Sequence, residues 1–370
     1  MRSHCSSGLR TGQPTGGDPS AGATRPRRLL IVRIASGTPA VRVPYTSRMS
    51  PQLPCTGAWT EALVSVRDLD RWIEALDELF GWKVELRGEV DSAWLRAWRL
   101  SPPVRADEAV LFHPDDPPRR VRLVRFHGVQ QLEIRSSGHH WDTGGIFSLL
   151  LYARDPDGCF ETAQRLGWSA HHDPVDMHFG DRQLRNVVLR AWDGVGFGLY
   201  RQVSPARPDA PWAKAGMAFN GQQSVRDIGP ARDFYCRGLG WTGWFDARIG
   251  LTCNNMGVPQ SLAATQQTDV ILCAAGKDAQ GLWHYGQVEL VGWPGLPGHD
   301  FAARALPPNL GVLALRIPVA DLDLQLRTLA ARGVAPATPV TTAVLEPYGR
   351  LRMAGVRSPD GAIVEFIEIA

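Results

Sequence analysis

Side chains able to do chemistry are thinly spread along these 370 residues. Six cysteines (Cys5, Cys55, Cys159, Cys236, Cys253 and Cys273) form no CxxC pair, which argues against a thiolate zinc site and for a reducing compartment. Two histidine pairs, His139-His140 and His171-His172, lie in loop-like, Gly- or Asp-rich surroundings. No third ligand stands at zinc spacing from either, so they suggest adventitious metal binding at most. His113, His178 and His284 lie in or near strand-like runs, from which an imidazole could act as acid or base or touch a substrate. Tyr348 precedes Gly349-Arg350, where a phenol could hydrogen-bond a substrate oxygen. Two carboxylates stand inside apolar runs: Glu289 in Gln287-Val288-Glu289-Leu290 and Glu365 in Ile363-Val364-Glu365-Phe366. No phosphate loop, dinucleotide fingerprint or nucleophile elbow is present, and those enzyme classes are set aside.

The elements that must carry these residues follow a cadence heard four times. A short apolar run ends in Asp, and 12 or 13 residues later comes a Gly: Asp68 to Gly81, Asp155 to Gly167, Asp227 to Gly240 and Asp321 to Gly333. The run alternates like a half-buried strand. The Asp fits a helix N-cap and the Gly a left-handed C-cap. Trp72, Leu76 and Leu79-Phe80 fall on one helical face. After Gly81 three more strand-like runs are expected, at Lys83–Leu86, Ala93–Leu100 and Val121–Phe126. Each copy is thus strand, helix and three strands, and Trp82, Trp168 and Trp241 after the helix-ending Gly are expected to pack.

Composition allows two cores of ordinary size and offers no membrane span. The net charge of +3 is uneven, because residues 1–50 hold eight Arg against Asp18 alone. The remainder is mildly acidic, which speaks against nucleic acid as a partner. Residues 1–50 lack apolar periodicity and are expected to be disordered or not native to the protein, with Met49 a candidate start; their Arg-rich character also fits a targeting leader. Units are expected at about 57–127, 143–203, 214–294 and 309–370, with 204–212 as a Pro-rich linker. The plan is then one domain over 51–203 and a second over 213–370. A pairing of unit one with unit four stays open.

These units, with the Ser358-Pro359-Asp360-Gly361 turn before the last strand, make residues 57–370 resemble the vicinal-oxygen-chelate superfamily of glyoxalase I, bleomycin-resistance proteins and extradiol dioxygenases. The resemblance implies an α+β fold of four βαβββ modules paired into two curved-sheet, glyoxalase-like domains. It also implies chemistry inside each cup, on a divalent metal held by His, Gln or Glu from first and last strands. The first-strand positions, seven residues before each capping Asp, are Glu61, Ser148, Asn220 and Ala314. The last-strand positions are Arg122, Gly198, Glu289 and Glu365. None is His, which departs from the family pattern.

Glu365 and Glu289 remain as acid-base groups or ligands, with Asn220 beside them; if units one and four share a cup, Glu61 joins Glu365 there, with Arg122. Two carboxylates converging in a partly apolar cup cannot both stay ionised cheaply: one takes a proton, or a cation neutralises them. The cofactor is left open between magnesium, manganese or iron and none. The expected function is lyase- or isomerase-type proton transfer on a small oxygenated molecule, aromatic or polycyclic ones included, in a cytoplasmic protein, with Glu365, Glu289 and Tyr348 catalytic and Asn220, His284 and His178 contacting substrate. An extradiol-type dioxygenase with atypical ligands and a non-catalytic binding protein of the bleomycin-resistance type are the alternatives. A homodimer is open.

Overall fold

Residues 57–116, 119–205, 211–251, 256–277 and 281–369 are described by the computed structural model. The expected N-terminal extension and residues 206–210 of the linker lie outside them. Unit one runs β1 (Glu61–Ser65), α1 (Leu69–Phe80), β2 (Lys83–Glu89), α2 (Ser92–Ala97), β3 (Arg105–Phe112) and β4 (Arg120–His127). Unit two runs β5 (Ser148–Tyr152), α3 (Pro156–Arg165), β6 (Ser169–Ala170), β7 (Val175–Phe179), β8 (Arg182–Arg190) and β9 (Gly196–Ser204). Unit three holds β10 (Asn220–Val225), α4 (Ile228–Asp233), β11 (Thr242–Gly250), α5 (Gln260–Ala263), β12 (Gln267–Ala274) and β13 (Gln287–Gly292). Unit four holds β14 (Gly311–Val319), α6 (Leu322–Ala331), β15 (Thr341–Val344), β16 (Arg350–Arg357) and β17 (Ile363–Glu368).

The capping chemistry is as expected in all four units. Asp68, Asp155, Asp227 and Asp321 each accept from a backbone N–H of the first helical turn. Gly81, Gly167, Gly240 and Gly333 end these segments with φ of 79°, 83°, 76° and 82°, a region in which a Cβ would be strained. One expected strand is not a strand. Ala93–Leu100 lies on and just after α2, because Asp91 accepts from the Ala93 N–H and Trp94, Leu95 and Trp98 fall at helical spacing. The strand in its place is β3.

Two sheets result, in the orders β15-β16-β17-β14-β1-β4-β3-β2 and β11-β12-β13-β10-β5-β9-β8-β6, with β7 beside β8. Unit one therefore pairs with unit four and unit two with unit three, not neighbour with neighbour. Sequence adjacency did not set the pairing, because each first strand has a free edge and the connections are long enough to cross. Residues 128–147 and 293–310, which join the sheets, run side by side through bridges Glu133–Leu310 and Thr143–Asp300. Strands β1 and β14 meet antiparallel at the centre of one sheet, as β5 and β10 do in the other.

The helix-covered faces of both sheets share one core. It includes Leu76, Leu149, Val187, Leu290, Leu315 and Phe366, with Trp72, Trp168 and Phe197 packed ring to ring. Trp82, Trp168 and Trp241 are all buried there, consistent with packing. The opposite faces of the sheets are the concave ones.

Candidate active site

On the concave face of units one and four, alternation brings Glu61, Arg122, Arg316 and Glu365 together, all at most 1% exposed. Arg316 lies across from Glu61 and beside Glu365 in register. Its Nη1 donates to Glu61 Oε1 at 2.6 Å and its Nε to Glu365 Oε2 at 2.8 Å. Arg122 donates to Glu61 from Nε at 2.8 Å, and Tyr348 Oη donates to Glu61 Oε2 at 3.2 Å. The second oxygen of Glu365 accepts from Trp94 Nε1 and Trp98 Nε1 at 2.8 and 2.9 Å, so α2 folds over this cup as a plug. Burial pushes the Glu61 carboxyl up, but Arg122 and Arg316 outweigh it and hold the group down at about 2. Apolar neighbours Leu63, Val124, Ile363, Ile367 and Met353 fill the rest. At the mouth a cleft of about 540 Å³ opens between β2 and Val344, and the Glu108 that lines it pairs with Arg122 at 2.9 Å.

The cup of units two and three is built on the same rows with different residues. Gln222 lies across from Ser148 and beside Glu289, as Arg316 does from Glu61 and Glu365. Gln222 Nε2 donates to Glu289 Oε1 at 3.0 Å, and Gln222 Oε1 accepts from Ser148 Oγ at 3.0 Å. Beneath them His140 Nε2 lies 3.2 Å from that amide oxygen, its ring stacked on Phe147. Glu289 keeps partial access to solvent and has no ion pair among the described residues. Burial lifts its carboxyl to about 7, against a small downward pull from the Gln222 amide. Burial and the Glu289 charge both push the Tyr200 phenol up. Aromatic rings surround this cup: Tyr152 stacks on Phe219, and Phe179 from β7 meets Phe245 from β11, strands near opposite ends of the sheet. Asn220 Oδ1 and Asn186 Oδ1, on the same concave face, are buried without a hydrogen-bond partner.

The residues singled out from sequence are thus divided. Glu61, Glu365 and Tyr348 meet in the first cup, and Glu289 and Asn220 stand in the second. Glu289 and Glu365 do not share a cup, because their units do not share a sheet. His178 is exposed on β7, on the opposite face from Phe179, and His284 is exposed in the loop before β13. Arg316 and Gln222 were missed, and the buried His140, read only as part of an adventitious metal-binding pair, lies against Gln222. Arg316 and Gln222 each lie two residues beyond a first-strand position, Ala314 and Asn220, and strand periodicity alone puts them on the same face. His140 sits in a loop, and only the tertiary fold brings it under the cup.

The donor sets do not fit the divalent cation that the fold family implies. In the first cup every carboxylate oxygen of Glu61 and Glu365 is already taken, and two guanidiniums already neutralise the pair. In the second, one carboxylate faces an amide N–H, and Gly198 brings no donor. Among the described residues no three His, Cys, Asp or Glu side chains are placed to hold an ion.

No family model and no curated protein matches the chain. Solved structures do. Glyoxalase I from Zea mays is 16% identical, with a TM-score of 0.56, covering 84% of this chain and 92% of that one. A mutant of the same maize enzyme gives 17% and 0.57 over 84% and 92%. A candidate dioxygenase from Bacillus subtilis gives 11% and 0.52 over 86% of each chain. At such identities the likeness is one of fold.

Proposed function

From the premise that this chain has the vicinal-oxygen-chelate fold, we propose that it is a lyase- or isomerase-type enzyme for a small oxygenated molecule, working in the cup of units two and three. The observation that carries this reading is Glu289: a half-buried carboxyl with no cationic partner among the described residues, lifted to about 7 by burial, in an aromatic-walled cup. Such a group can take a proton from carbon next to a carbonyl and return it to a neighbouring atom near neutral pH. The base role expected of Glu365 passes to Glu289, since the oxygens of Glu365 are held by Arg316, Trp94 and Trp98. Asn220 and Asn186 would meet donors on the ligand. Donor geometry gives no support to an extradiol mechanism in either cup.

The test is solvent-deuterium incorporation into a panel of aromatic hydroxyketones in D2O, followed by mass spectrometry. The wild type exchanges a carbonyl-adjacent hydrogen and Glu289→Gln does not. Equal exchange by both proteins would overturn the assignment. The aromatic walls alone favour a second reading, a sequestering protein; its sign is tight binding without exchange, unchanged in Glu289→Gln.

A further inference from the structure

We infer that His140 and Ser148 are positioning residues that fix the amide of Gln222 and, through it, the ionised form of Glu289. This inference rests on the reading of Glu289 as the proton-exchanging group.

Gln222 is 2% exposed and its amide has two ends with opposite chemistry. Its oxygen faces Ser148 Oγ at 3.0 Å and His140 Nε2 at 3.2 Å, and its nitrogen faces Glu289 at 3.0 Å. A hydroxyl and an imidazole can each donate or accept, so the direction of the row is set elsewhere. His140 Nδ1 is buried without a partner, and buried orphan N–H groups are rarer than orphan acceptors. The proton therefore belongs on Nε2, where it donates to Gln222. Burial, His171 and Arg135 all hold the ring neutral, so it offers that single donor. With Ser148 also donating, the amide oxygen is satisfied and the N–H₂ must point at Glu289, which must accept. If the amide turned over, its oxygen would face Glu289 and only the protonated acid could answer it. Amide orientation, imidazole tautomer and the Glu289 proton form one coupled set.

The groups facing Glu289 are few. Leu272 lies opposite on β12, Phe245 opposite Leu272 on β11, Gln222 on β10 and the titratable Tyr200 on β9. None of these is a cation or a second carboxylate, and among the described residues the Gln222 amide is the group that hydrogen-bonds Glu289.

His140→Phe/Ser148→Ala keeps the ring stack on Phe147 while removing both donors. Its readout is the protonated-carboxyl band in pH-difference infrared spectra, assigned by its loss in Glu289→Gln. The double variant should titrate about one pH unit higher than wild type, a tenfold change in proton affinity. Restoring His140 alone should recover part of the shift. An unmoved midpoint in a folded double variant overturns the positioning role while leaving Glu289 as the titrating group. A wild-type spectrum with no Glu289 band near neutral pH overturns the reading of Glu289 itself. Should the double variant fail to fold, Ser148→Ala alone carries the test, with a smaller upward shift expected and no shift counting against.

Discussion

The two cups carry the same row of three residues, one spelled Glu61–Arg316–Glu365 and the other Ser148–Gln222–Glu289. In the first, the middle residue is a cation that donates to both neighbours, and the result is a buried, self-neutralising ion network. In the second, the middle residue is a neutral amide that accepts from one neighbour and donates to the other. The carboxyl at the end of that row has no counter-charge among the described residues. The same strand positions yield a neutralised ion network in one cup and a carboxyl raised to about 7 in the other, and the middle residue decides which. Breaking one partner out of a buried network costs far more than the intact pair contributes, so the network is also a point of fragility.

Replacing Arg316 by Gln should break the comparison hardest. Two buried carboxylates lose their shared cation, and unfolding in urea at pH 7 should show a loss of about 3–5 kcal/mol. The loss should shrink in acid, where those groups protonate; a loss below about 1 kcal/mol would show that the network is not a brace. Next comes Glu289→Gln. A raised acid holds its proton more tightly folded than unfolded, so its penalty is full above about 7 and fades as pH falls toward about 4.5. The variant should be about 1–3 kcal/mol more stable than wild type at pH 8, with the difference gone only below about pH 4. Trp98→Phe removes one of two indole donors to Glu365 and should cost about 1–2 kcal/mol by the same urea measurement. Smaller again, Asp68→Ala should cost about 1 kcal/mol, the usual worth of a helix N-cap. Least of all, saturating magnesium or manganese should leave Tm within about 1 °C, since neither donor set fits the ion.

Much of the scaffold was readable because it rests on local chemistry. The Asp caps, the left-handed Gly stops and the two-residue strand period act within a few residues, and four copies reinforced one another. The error at Ala93–Leu100 was also local: Asp91 is a cap, and the Trp spacing was helical rather than alternating. The site was readable only in part. Glu365 and Glu289 were found from their strand positions, but their environments could not be, since each depends on a residue from another strand or loop. Spacing gave Ala314 and Asn220 as the first-strand positions. The side chains that reach the acids are Arg316 and Gln222, two residues along, and only the register across the sheet shows that they do.

By itself, then, the chain determined four Asp-capped, Gly-stopped strand-helix units and the strand acids that turn inward, because caps, turns and periodicity are short-range. The tertiary structure decided that unit one joins unit four, that Arg316 neutralises Glu61 and Glu365, and that Glu289 stands beside the Gln222 amide. Those outcomes depend on which strand edges meet and how much water is left around a charge, and neither is fixed by neighbours in sequence.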